Sequence, residues 1–184
     1  MGPPGAGKGT QAAMIAERCG GPAISTGGIF RAHVAAGTPL GRAARRAMEA
    51  GEYVPDDITN QLVRERLSEE DCADGFVLDG YPRTLEQVAW LDAFLETSGT
   101  QVDVVLALIV DQDELVSRLL ARAATERRTD DTEDVIRRRQ QLYAEETAAL
   151  LESYDARGLL VRVDGSGSVQ EVAERAFDAL DIRA

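Results

Sequence analysis

One lysine carries the first clue. Lys8 is the only Lys among 20 basic residues; the other 19 are Arg. It closes the run Gly2-Pro3-Pro4-Gly5-Ala6-Gly7-Lys8-Gly9-Thr10, which fits G-x-x-x-x-G-K, with Thr10 one place later than the usual Ser or Thr. Glycines let backbone N–H groups close around phosphate oxygens, and a following helix offers its positive end to the anion. The Lys adds a compact point charge for the β- and γ-phosphates. Gly-rich runs also serve as plain turns. A chain that uses Arg everywhere else but Lys here implies a need for a small ammonium at this place.

Asp79 is the second candidate. It follows the apolar Phe76-Val77-Leu78, where an acidic residue of a phosphate-loop protein helps hold Mg²⁺, often through water. An Asp before Gly also forms ordinary turns, so the loop at Lys8 is what favours the metal reading. The arginines are the third. Arg118 and Arg122 share a helical face, Arg128 lies just beyond a polar connection, and Arg137 to Arg139 follow on a long helix. Singly each reads as a solvated partner for Glu133, Asp134 or Glu145. As a set they resemble planar forks that close on phosphates.

These side chains need a frame. At 184 residues the chain fits one domain with a real core, residues 1–184. A net charge of −12 argues against a nucleic-acid or acidic-membrane partner. Cys19 and Cys72 form no C-x-x-C pair and read as buried or half-buried thiols of a reducing compartment. The longest apolar run, Val104 to Val110, suits one buried strand. With no signal-peptide pattern, the expectation is a soluble cytoplasmic protein.

Helices are expected over Lys8–Cys19, from the turn Thr26-Gly27-Gly28 through Arg31 to the break at Gly37-Thr38-Pro39, over Leu40–Ala50, from Asp56 or Asp57 as cap to Leu67, over Leu85–Thr97 and over Asp111–Arg122. A long helix from Thr132 to Arg157, capped by Asp130 or Asp131, and one from Ser168 to Leu180 complete the set. Strands are expected at Ala23–Ser25, Phe76–Leu78, Val102–Val110 and Leu159–Val163. Short apolar strands alternating with helices imply an α/β fold, a parallel sheet covered on both faces. Ligands of such folds sit beyond the C-terminal strand ends, so the Lys8 loop, Thr26, Asp79 and Gly165 should meet at one cleft.

In its motifs the chain resembles the nucleoside monophosphate kinases, the adenylate kinases among them. The matching segments are Gly2 to Gln11, Ile24-Ser25-Thr26-Gly27 followed by Arg31, Gly51-Glu52-Tyr53-Val54-Pro55-Asp56, Gly75 to Thr84 with Gln87, and Arg128-Thr129-Asp130-Asp131 leading to Arg139. They run in order through nearly the whole chain. The resemblance implies a P-loop NTPase-like three-layer fold with a helical AMP-binding insertion (25–54) and a short lid (121–131). It implies Mg²⁺-dependent phosphoryl transfer from ATP to AMP. Gly5, Ala6, Gly7, Lys8, Gly9 and Thr10 would hold the ATP phosphates, with Arg118, Arg122 and Gly167 on the same side. Thr26, Arg31, the backbone at Glu52, Tyr53 and Val54, then Gly80, Tyr81, Pro82, Arg83 and Gln87 would take AMP. Lys8, Arg83, Arg128 and Arg139 would surround the transferred group, and Tyr81-Pro82 would be a cis peptide. The lid lacks the four-Cys pattern of some relatives, so no structural zinc is expected. A monomer is the expected state. A kinase for UMP or CMP, or a nucleotide-binding protein with little turnover, are the rival readings.

Two departures stand out. Gly28 occupies a place where relatives carry Asp or Glu, which implies weaker ordering of the Mg²⁺ waters. The resemblance also implies an apolar strand of about five or six residues before Gly2, in the middle of the sheet; here only Met1 precedes it. The first strand is therefore missing from the expected fold, and a start lying upstream is the expectation. His33 reads as a surface residue, and Trp90 with Phe94 as core or rim packing.

Overall fold

In a computed structural model, which describes residues 1–126 and 132–181, helices and short parallel strands alternate. Strand β1 (Ala23–Ser25) pairs with β2 (Val77–Asp79), Ile24 opposite Leu78. Strand β3 (Val105–Ile109) pairs with β4 (Leu160–Asp164), Ala107 opposite Arg162. Both ladders are parallel, so the expected class holds, but they form two separate pairs.

β3 explains the layering. Its side chains alternate between faces, as strand geometry requires. Val105 and Ala107 join Val88 of α5 (Leu85–Glu96) and Leu150 and Tyr154 of α8 (Ala148–Ala156) in one cluster. Leu108 faces the opposite cluster with Ala6, Leu115 of α6 (Gln112–Glu126), Val163 and Val172 of α9 (Val169–Asp181). An apolar run with no polar face follows from burial on both sides. α2 (Thr26–Ala35), α3 (Pro39–Ala50) and α4 (Asp56–Leu67) share a separate, smaller cluster around Phe30, Ala44, Val54 and Leu62.

Between the strand pairs lies a cavity of about 1040 Å³, bordered by Phe76 to Asp79 on one side and Val104 to Leu106 on the other. Met1 occupies one end of it. Its carbonyl accepts from Leu108 N–H at 2.9 Å, and its ammonium donates to the Leu106 carbonyl. These two bonds begin a parallel ladder on the free edge of β3. A strand continuing backward from Met1 would run along the same edge, which is where the resemblance implies one.

Several boundaries differ from expectation, each for a local reason. The long helix from Thr132 is α7 (Glu133–Leu142), a wide turn over Tyr143–Thr147 and then α8. Thr132, not Asp130 or Asp131, caps it, accepting from Val135 N–H at 3.5 Å. α6 runs past Arg122 to Glu126, because no Gly or Pro interrupts Ala123 to Glu126. Pro55 holds the cap position of α4, and neither Asp56 nor Asp57 caps it. Cys72 is buried, whereas Cys19, expected to be at least half-buried, is exposed at the last residue of α1 (Lys8–Cys19). His33 is half-buried, its Nδ1 2.9 Å from the Thr38 hydroxyl at the start of α3.

Candidate active site

The C-terminal ends of β1 and β2 and the N-terminus of α1 open into one cleft of about 610 Å³. α1 starts at Gly7, in a left-handed conformation (φ 87°), with no side-chain cap and no acidic residue in the first turn. An Asp or Ser here would consume the end's free N–H donors and part of its dipole. Their absence leaves a positive helix end facing the cleft. Gly5 is equally constrained: at φ 89° an added Cβ would fall 2.9 Å from Leu119 Cγ, so the loop lies flat against α6. Ala6 points the other way and is 1% exposed, anchoring the loop in the β3 cluster.

Lys8 leans over the loop, its Nζ donating to the Pro3 carbonyl at 2.9 Å. Asp79 closes the opposite side. A Cβ on Gly9 would lie 3.3 Å from Asp79 Oδ2, so the carboxylate sits directly beside the phosphate loop. Thr26 donates from its hydroxyl to the Gly80 carbonyl at 3.0 Å, tying the exits of β1 and β2 together.

Tyr81-Pro82 is cis, as expected. Beyond it Arg83 Nε donates to the Gly80 carbonyl at 2.7 Å, and the guanidinium lies 5.2 Å from the centre of the Tyr53 ring. Burial lowers the Arg83 pKa, and the nearby Arg139 charge adds to that; Tyr53 and Asp79 pull the other way. Two guanidiniums that repel each other across a cleft define a place for an anion. Arg139 reaches it from α7 and donates to the Met48 carbonyl at 3.5 Å.

Lys8, Gly5, Gly7, Gly9, Thr10, Thr26, Arg31, Glu52, Tyr53, Val54, Asp79, Gly80, Tyr81, Pro82, Arg83, Gln87, Arg118 and Arg139 all line this cleft. Glu52 also turns its carboxylate outward to a two-pronged pair with Arg138, at 2.8 and 3.2 Å. Gln87 is 2% exposed and already engaged: its Oε1 accepts from Arg83 N–H at 2.7 Å, and its Nε2 donates to Asp56 at 2.6 Å. Arg118 holds Glu114 at 2.6 Å and donates to the carbonyls of Gly165 at 2.8 Å and Gly167 at 3.4 Å. Gly167 therefore meets the site through Arg118. Arg122 lies on α6 with its side chain undescribed, and Arg128 lies outside the described residues.

Sequence reasoning overlooked Tyr143 and Thr147, which also line the cleft. Thr147 is 4% exposed, and burial raises the Tyr143 pKa. The signal was available, since Arg139, Tyr143 and Thr147 fall at successive fours along one helical face.

Comparison with known proteins agrees with this geometry. The family profile described as "Adenylate kinase" matches residues 1–159. An adenylate kinase from Nocardioides sp. is 61% identical over 182 residues, 99% of this chain and 95% of that protein. One from Kocuria rhizophila is 60% identical over 181 residues, covering 98% and 96%. One from Thermobifida fusca is 50% identical over 184 residues, covering 100% and 97%. The protein is thus a nucleotide-phosphorylating enzyme of the phosphate-loop class. It belongs to the adenylate kinase family.

Proposed function

We propose that this chain transfers a phosphoryl group reversibly between ATP and AMP, giving two ADP. One observation carries the reading: a bare helix N-terminus, Lys8, Arg83 and Arg139 converge on a single cleft from separate parts of the chain. Simple nucleotide binding needs one phosphate cradle. Cations on both sides of a gap suit a group in transit, whose charge must be met at both ends.

On this reading the loop from Gly5 to Thr10 takes the ATP phosphates, with Arg118, Arg122 and Gly167 alongside. Thr26, Arg31, Glu52 to Val54, Gly80 to Arg83 and Gln87 take AMP. Lys8, Arg83, Arg128 and Arg139 neutralise the moving group. No nucleophilic side chain is required, because positioning and charge neutralisation supply the acceleration. The insertion at 25–54 closes over the substrates and excludes water; of the lid expected at 121–131, residues 127–131 lie outside the described residues.

Mg²⁺ fits the donor set. One carboxylate, Asp79, stands beside Gly9 and the phosphate loop, and a small hard cation takes one or two carboxylates plus phosphate oxygens and waters. Asp79 would hold it, through water, and its charge would offset that of the phosphates. Among the described residues no three His, Cys, Asp or Glu side chains cluster as a metal cage, and no helix is long and apolar enough to cross a membrane. The working form we infer is a cytoplasmic monomer, with no nucleic-acid or membrane partner. ADP formation from ATP with AMP, UMP and CMP, Lys8→Ala serving as control, tests the reading. Preference for AMP that vanishes with Lys8 supports it; equal turnover in the variant would sink it.

A further inference from the structure

Asp56 sits at the first turn of α4, where a carboxylate ordinarily serves its own helix end. Here its side chain reaches across to α5. Oδ2 accepts from the Thr84 hydroxyl at 2.7 Å, and Oδ1 accepts from Gln87 Nε2 at 2.6 Å. Thr84 in turn caps α5, accepting from Gln87 N–H at 3.1 Å. The far end of the Gln87 amide, Oε1, accepts from the Arg83 backbone N–H at 2.7 Å. Asp56 is half-buried and does not line the cleft, whereas Gln87 and Arg83 do.

A carboxylate can only accept, but an amide has a donating and an accepting end. Facing Asp56, Gln87 must present its NH₂, and its oxygen is thereby turned toward Arg83. We propose that Asp56 is a positioning residue: its charge fixes the orientation of the Gln87 amide and, through it, the peptide that aims Arg83 into the acceptor half of the cleft. The role rests on the cleft's acceptor half taking AMP. Asn at position 56 would keep the shape and remove one of the two constraints on the Gln87 amide, leaving the Arg83 N–H alone to orient it.

The test is Asp56→Asn in the full chain. Affinities for AMP and ATP are measured by calorimetry, KM for each by ADP formation, and the Gln87 side-chain amide is followed by NMR. The expected result is about a tenfold loss in AMP affinity and a matching rise in its KM. ATP values should stay within twofold, and the Gln87 amide protons, slow to exchange in the parent, should become fast. A merely structural role would weaken both nucleotides equally and lower the melting temperature, which overturns the proposal. So would a Gln87 amide signal unmoved by the substitution. Absence of ADP formation in the parent chain strikes instead at the proposed reaction, while the amide exchange still reads the Asp56 contact.

Discussion

The phosphate cleft and the slot between the strand pairs lie back to back and share residues, yet they are built in opposite ways. In the cleft, the polar side chains brace one another: Thr26 on Gly80, Arg83 on Gly80, Gln87 on Arg83 and Asp56. The slot is larger and mostly apolar, and its polar groups fare worse. The Met1 ammonium is buried there, pushed down to about 5 first by burial and then by the Lys8 charge. The buried Tyr154 hydroxyl at the slot's edge has no hydrogen-bond partner among the described residues. A site for chemistry can tolerate empty volume, since substrate fills it. Empty volume between the two strand pairs leaves the apolar side chains that line it with fewer contacts than a filled core would give.

The largest effect should come from filling the slot. Extending the chain at Met1 by five or six alternating Val, Ile and Leu residues should seat a strand on the free edge of β3. Four buried aliphatic side chains at roughly 1.5–3 kcal/mol each contribute on the order of 6–12 kcal/mol. For a chain of this size that means a melting temperature higher by roughly 10 °C or more. A Ser-Gly extension of equal length is the control, and identical melting of the two would erase the contrast between slot and cleft.

Lys8→Ala probes the other region. Losing a cation that faces developing charge should lower kcat on the order of 10²–10³-fold with a melting shift of only a few degrees. A collapse in stability without a specific kinetic loss would mean that Lys8 serves the loop through Pro3 more than the phosphate.

Acid titration separates the regions more gently. The Met1 amine is near 5 folded, against an ordinary 8.0, so between those values the unfolded chain binds more protons. Stability should then rise with pH from 5 to 8, by up to about 4 kcal/mol at about 1.4 per unit. Denaturant melts at pH 5.5 and 8 check the sign. Acetylating the amine should flatten the slope; a slope unchanged by acetylation would assign it to other groups.

The smallest effect concerns Gly28. A Cβ there meets only Ser25, at 3.4 Å or more, so the backbone accepts a side chain at this position. Gly28→Asp adds a carboxylate to the first turn of α2, where the helix dipole favours it, an effect of about 0.3–1 kcal/mol. Activity or Mg²⁺ affinity should rise a fewfold in a Mg²⁺ titration of ADP formation; no change at all would count against a carboxylate role at this position.

The local chemistry was legible from the chain alone. Gly7 ends up at φ 87° because the motif needs an uncapped helix start. Lys8, Asp79 and Arg83 meet because short apolar strands deliver their successors to one edge. Helix limits at Cys19, Ala50 and Leu67 follow from glycine stops and periodicity. What the chain alone could not decide were choices between competing partners. Asp56 could cap α4 or cross to α5, and only the approach of Thr84 and Gln87 selects the second. Gln87 could meet a base or brace Arg83, and the fold commits both ends of its amide to the latter contacts. The division of the strands into two pairs, and the placing of Arg139 and Tyr143 on the cleft wall, depend on long-range packing. Local sequence sets which backbone shapes and charges are available. Which of two satisfiable hydrogen-bond partners is used depends on distances between segments far apart in the chain, and those exist only once it has folded.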